Sequence, residues 1–302
     1  MSARETRKAG LVMIALVLLW GYSWITSKIA LNYASPLDFS VVRVVLGSAS
    51  LLVFMLWSRA SLRPQYIGWA IFIGLVQTAA FIVFNTWALS DGEAGKTSVL
   101  VFTMPFWVLI FAWPVLGERI RGWQWLAIAL ALIGLTLILQ PWTMRTALLG
   151  KVLAVSAGVC WAIGVVYAKR LHNRGPVDVI SFTFWQMLFG TIPVLFLESA
   201  FDRSTIDWTG TFIFCAIFNG VVATGVGWAM WLYVLHRLPA GTTSLSSLGI
   251  PVIATLASWL QLGERPAPIE LAGMLLIGIA LALVSWLTIR KREETEPLMG
   301  QE

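Results

Sequence analysis

Gln77, Phe81 and Asn85 fall at i, i+4 and i+8, which puts two amides and an aromatic ring on one face of a helix. Side chains of this kind do not make or break bonds; they recognise. An amide offers donors and acceptors to a neutral or zwitterionic head, and a ring offers contact to an apolar tail. Buried amides need partners, so two readings stand: packing against another helix, or contact with a ligand. Trp20, Trp24, Trp161 and Trp228 lie deep in apolar runs, and Met104 and Ser247 precede two prolines, Pro105 and Pro251. A mid-helix proline removes a backbone donor and frees a carbonyl one turn earlier, here near Val101 and Ser247. These prolines read as hinges, or as kinks that serve packing alone. The candidate ligand-binding set is therefore Trp20, Trp24, Gln77, Phe81, Asn85, Met104, Trp161, Trp228 and Ser247, with Pro105 and Pro251 as hinges.

Bond-making chemistry has little to build on. The sequence contains no HExxH, no paired aspartates inside an apolar run, and no serine or cysteine with an embedded histidine. Cys160 has no basic neighbour to lower its pKa. Cys160 and Cys215 both sit in apolar runs and suggest neither a disulfide nor a metal cluster. No catalytic residue, metal or cofactor is expected, and an intramembrane enzyme is the disfavoured alternative.

What must position these residues follows from composition. Hydrophobic residues make up 58% of the 302 and charged residues 12%, about half the charged share of soluble domains. The mean hydropathy is +0.81. The expected solvent is lipid. Apolar stretches of spanning length recur near 9–31, 38–58, 66–90, 95–116, 122–141, 149–171, 178–199, 210–236, 241–262 and 268–289. Backbone groups inside a bilayer must be satisfied within the segment, so an all-α membrane protein of ten transmembrane helices is expected. With the N-terminus cytoplasmic, fourteen Lys and Arg fall in inside segments and five outside, leaving Lys28 and Arg43 within spans. That bias places both termini in the cytoplasm. It also accounts for the net charge of +6 without nucleic acid. Lys28 and Arg43 lie near the outer ends of their spans, where snorkelling and function are both open. Asp38 and Asp178 read as N-caps.

The tetrapeptide LGER occurs at 116–119 and again at 262–265. Sliding the chain by 146 also pairs Gly74 with Gly220, Thr78 with Thr224, Ala94-Gly95 with Ala240-Gly241, and Pro105 with Pro251. Upstream, an offset of 140 to 141 pairs Trp20 with Trp161, Lys28 with Lys169, and Asp38 with Asp178; downstream, 144 pairs Ile133-Gly134 with Ile277-Gly278. The order persists over about 130 residues, which reads as an internal repeat. The expected organisation is a tail at 1–8, a five-helix repeat at 9–141, a second at 149–289 and a tail at 290–302. Five is odd, so the second repeat enters the membrane inverted. LGER itself reads as a structural turn, with Gly117 and Gly263 as helix C-caps.

Inverted repeats are the common architecture of secondary transporters, with the ligand between the halves near the midplane. WGYSWITSKIAL, WAIGVVYAKRL and the doubled A-G-x-T-S…P…LGER blocks resemble the drug/metabolite transporter superfamily, in its ten-helix EamA branch. The resemblance implies a transporter in the bacterial inner membrane, and its nearer part implies exporters of amino acids, aromatic ones included. It also implies a cavity to which Gln77, Met104 and Trp161 contribute. Expected partners are a small amphipathic molecule such as an amino acid and the lipid bilayer, without nucleic acid, the chain working as a monomer. A broad drug, metabolite or sugar-nucleotide permease of the same superfamily is the alternative.

Overall fold

The computed structural model describes residues 3–117, 119–120, 122–140, 148–201, 204–228, 230 and 249–295. These fold into helices and connecting turns, with no strand among the described residues. Six helices are long and apolar enough to cross a membrane: α1 (Lys8–Ala30, extended in the structure to Ala3), α2 (Pro36–Trp57), α3 (Ile67–Asp91), α4 (Ala94–Leu116), α6 (Leu148–His172) and α7 (Val179–Phe201). Shorter apolar helical stretches are α5 (Trp123–Leu139), α8 (Gly210–Val226) and α9 (Gly249–Leu262), and α10 runs over Pro268–Thr295. Large apolar side chains such as Val53, Phe196, Leu260 and Ile279 point outward. A soluble domain would bury such residues; here they meet lipid.

Several ends follow from sequence. Ser35 caps α2 by accepting from the Asp38 N–H, and Thr209 caps α8 by accepting from Phe212 N–H. Asp178 caps α7 through the Ser181 N–H at 3.1 Å, as expected. Asp38 does not cap: it lies inside the first turn of α2, where its carboxylate accepts from the Ser204 hydroxyl. The serine three positions earlier took the role because it alone precedes the proline that opens the helix. The two LGER glycines do end helices in left-handed backbone, Gly117 at φ 73° and Gly263 at φ 70°.

Three stretches among the described residues depart from α geometry as π-helix, one of them Ser258–Leu262 within α9, and the other two correspond. Gly74–Ala80 within α3 and Phe218–Val226 within α8 are wound as π-helix. Each segment abuts a helix from the opposite end of the sequence. A Cβ on Gly74 would stand 2.5 Å from the Gln186 carbonyl, and Gly190 faces Thr78. Correspondingly, Gly220 faces Leu46, and a Cβ on Gly47 would stand 3.0 Å from Thr224 Cγ2. So α3 packs on α7 and α8 packs on α2. Between the two contacts, Ser48 Oγ and Thr191 Oγ1 lie 3.0 Å apart. In α2 and α7 the spatial register is 143, matching Ser35 to Asp178, Gly47 to Gly190 and Ser48 to Thr191; the sequence pairing of Asp38 with Asp178 is shifted by three residues.

α2 and α7 run antiparallel. The start of α2 bonds to the segment after α7, Asp38 with Ser204. The start of α7 bonds to the segment after α2, with the Ser61 N–H donating to Asp178 Oδ2 at 3.1 Å.

The glycine contacts carry a prediction. Gly190→Ala and Gly74→Ala each force a methyl into a facing helix and lose about 1–3 kcal/mol of stability, the usual effect of overpacking. Gly278→Ala, where nothing lies within 4 Å, leaves stability unchanged. Thermal unfolding in detergent separates the two classes.

Candidate functional site

Phe81 on α3 and Trp161 on α6 meet edge to face, ring centroids 4.8 Å apart at 62°. One turn earlier on α3, Gln77 lies flat on Gly164 of α6, where a Cβ would come within 2.6 Å of the glutamine side chain. Gln77 Oε1 accepts a hydrogen bond from Gln186 Nε2 of α7 at 3.0 Å. Three helices thus converge on a ring pair and an amide pair. Gln186 was not singled out by sequence reasoning, although a polar amide within an apolar span is the same signal that marked Gln77. Asn85 is 4% exposed, and its Oδ1 has no hydrogen-bond partner among the described residues.

The tryptophans divide. Trp24 is buried in the same packed cluster as Phe81, with Trp20 and Trp161 at its edge. Trp20 Nε1 donates to the Ala223 carbonyl at 2.8 Å, inside the π segment of α8. π winding frees carbonyls from the usual ladder, and the indole clamps α1 to α8 through one of them. Trp228 is not brought to this cluster: it packs instead against the cluster of Leu51, Met55 and Phe184. Beside Trp20 lies a polar node that the sequence did not reveal. Asn219 donates to Thr26 Oγ1 and to the Cys215 carbonyl, both at 2.9 Å, and accepts from Ser27 Oγ at 2.8 Å.

Pro105 breaks α4 as expected. Helix stops at Val101, turns through Phe102 and Thr103, and resumes at Met104. The Val101 carbonyl abuts α6 at Gly158, where a Cβ would stand 2.7 Å away. Here the break serves close helix approach. Met104 is half-buried at the restart. Pro251 is buried in α9, while Ser247 lies outside the described residues.

At one end of the bundle the ends of α4, α9 and α10 are tied by charge. Lys96 Nζ pairs with Glu93 at 2.8 Å and Glu270 at 2.9 Å. Glu264, from the second LGER, accepts the Ala94 N–H at 2.7 Å and bonds the Ser258 hydroxyl. That carboxylate therefore caps the first turn of a helix in the other half, a role beyond the local turn expected from sequence.

The sequence pattern of the EamA-like transporter family matches residues 7–140 and again 148–286. The chain belongs to the EamA-like transporter family. It is a multi-pass membrane protein of the drug/metabolite transporter superfamily. Among relatives, the uncharacterized transporter YvbV of Bacillus subtilis is 31% identical over 93% of this chain and 92% of its own. The uncharacterized transporter YoaV of the same organism is 28% identical over 89% and 94%. A probable amino-acid metabolite efflux pump of Escherichia coli is 27% identical over 90% and 93%. A solved crystal structure shares the fold with a TM-score of 0.65, at 20% identity over 93% of this chain and 98% of that one.

Lys28, within the first span of this EamA-like chain, is tied to protein and does not snorkel. Lys28 Nζ donates to the carbonyls of Leu89, Ser90 and Gly92 at 2.8, 3.0 and 2.7 Å. It closes the end of α3, where unpaired carbonyls and the helix dipole favour a cation. Arg43 does not reach water through its Nε, which is buried and without a hydrogen-bond partner among the described residues.

Lys28→Met leaves three carbonyls without their donor and lowers stability by about 1.5–3 kcal/mol, the range for bonds to a charged group; Lys28→Arg retains most of it. Denaturation of purified protein measures this. Full stability with lost transport would instead make Lys28 a substrate contact.

Proposed function

We propose that this EamA-like transporter is a secondary exporter of amino acids, aromatic and other hydrophobic or neutral ones included, or of related small metabolites. It works across the bacterial inner membrane by alternating access, with ten spans, both termini cytoplasmic, and the chain acting as a monomer without cofactor or catalysis. The observation that carries the reading is the meeting of Phe81, Trp161, Gln77 and Gln186 between α3, α6 and α7. Rings take an apolar side chain and amides a polar head, as small-ligand sites commonly do. The name of the Escherichia coli relative, a probable amino-acid metabolite efflux pump, supports the same class.

The exchange of helices between the halves supports alternating access. α3 leans on α7 as α8 leans on α2, so one half can adopt the arrangement its partner leaves. With the predicted topology, the end tied by Lys96, Glu93, Glu270 and Glu264 is the outer one, and those bonds hold it shut while the cytoplasmic side loads.

Proteoliposome flux with labelled amino acids tests the proposal. The protein moves at least one hydrophobic or aromatic amino acid above empty liposomes. Trp161→Ala and Gln77→Ala each lower that flux at least tenfold or change which amino acids compete. Flux of cationic dyes without any amino-acid flux would defeat the reading, and unchanged profiles in both variants would remove the site.

A further inference from the structure

Arg43 is the eighth residue of α2. At 1.5 Å rise per residue it lies about 10 Å in from the end of the helix, against a half-thickness of about 15 Å for the hydrocarbon core. Arg43 is half-buried; its Nε is buried and has no hydrogen-bond partner among the described residues, and no carboxylate among them lies within ion-pair distance. A buried guanidinium nitrogen without a partner is costly unless something arrives to pair it.

The internal register says what this position does in the other half. With α2 and α7 related by 143, and α3 and α8 by 146, Arg43 corresponds to Gln186 and Ala223 to Gln77. In one half the pair is closed, Gln186 donating to Gln77. In the other the corresponding partner is alanine, whose side chain has no acceptor, and whose carbonyl is already taken by Trp20. The Arg43 carbonyl borders Gly220 of that same π segment. A closed amide pair is thus replaced, at the corresponding positions, by a cation and a residue whose side chain has no acceptor.

We propose that Arg43 is an anion subsite of the translocation pathway and takes the carboxylate of the substrate. This deepens the amino-acid reading and rests on it. A guanidinium fork matches a carboxylate with two parallel hydrogen bonds. A phosphate ester would call for a second cation, and Lys28 is committed to three carbonyls. Neutral Trp20 and Ala223 at the same level suit a small amphipathic acid.

The test is binding to the purified full-length protein, by calorimetry, of phenylalanine, leucine and methionine against their carboxamides, with phenylacetate against phenylacetamide. The wild type prefers the acids. Arg43→Gln weakens the acids at least tenfold and leaves the amides within twofold; Arg43→Lys, which keeps charge but not the fork, is intermediate and carries the test if the glutamine variant does not fold. Equal weakening of acids and amides, a preference that survives the substitution, or no carboxylate preference in the wild type would overturn the subsite. Arg43-dependent binding of phenylacetate without binding of any amino acid would keep the subsite and remove the amino-acid reading.

Discussion

Lipid gives a helix no reason to bury an apolar face against another helix, because the hydrocarbon around it is as apolar as the partner. What remains is close packing and polar bonding between helices. In this chain both are concentrated where α3 crosses α7 and α8 crosses α2. Gly74 and Gly190 let backbones approach until a carbonyl lies where a Cβ would be, and across the bundle Gly47 and Gly220 admit the side chains of Thr224 and Leu46 in the same way. The Ser48–Thr191 bond lies between the two crossings. The rest of the structure hangs on this exchange, because it sets the π segments of α3 and α8, and through them Gln77 and Ala223, opposite helices of the other half.

Polar groups inside the bundle fall into those that hold it and those left open. Asn219 is satisfied by Thr26, Ser27 and Cys215; Trp20 by a π-segment carbonyl; Lys28 by three carbonyls at a helix end. Each of these is a structural clasp. Asn85 Oδ1 and Arg43 Nε, buried without partners among the described residues, are of the other kind. In the proposed account they and the Phe81–Trp161 ring pair contribute to the substrate pathway.

Much of this was legible in sequence. Apolar length announced the helices, since lipid admits little else, and the doubled blocks announced two matching halves in the family pattern. Gln77, Phe81 and Trp161 were found by spacing and by repeat, and they do meet. What escaped depended on register. Asp38 looked like the mate of Asp178 because both precede apolar runs, yet the cap is Ser35, and only the correct offset of 143 makes Arg43 the counterpart of Gln186. Trp228 looked as deep as Trp161, but depth along a helix says nothing of which face it occupies, and it packs elsewhere. Glu264 looked local, because a contact with Ala94, 170 residues away, has no signature in a four-residue turn.

The central claim is that the two halves sit inverted in the membrane, and the duplicated LGER turn tests it most directly. Single cysteines at Glu118 and Glu264, in a background lacking Cys160 and Cys215, are labelled in intact cells with a membrane-impermeant maleimide. The account predicts labelling of the Glu264 position from outside and of the Glu118 position only after the membrane is opened. Equal labelling of both from outside would contradict it.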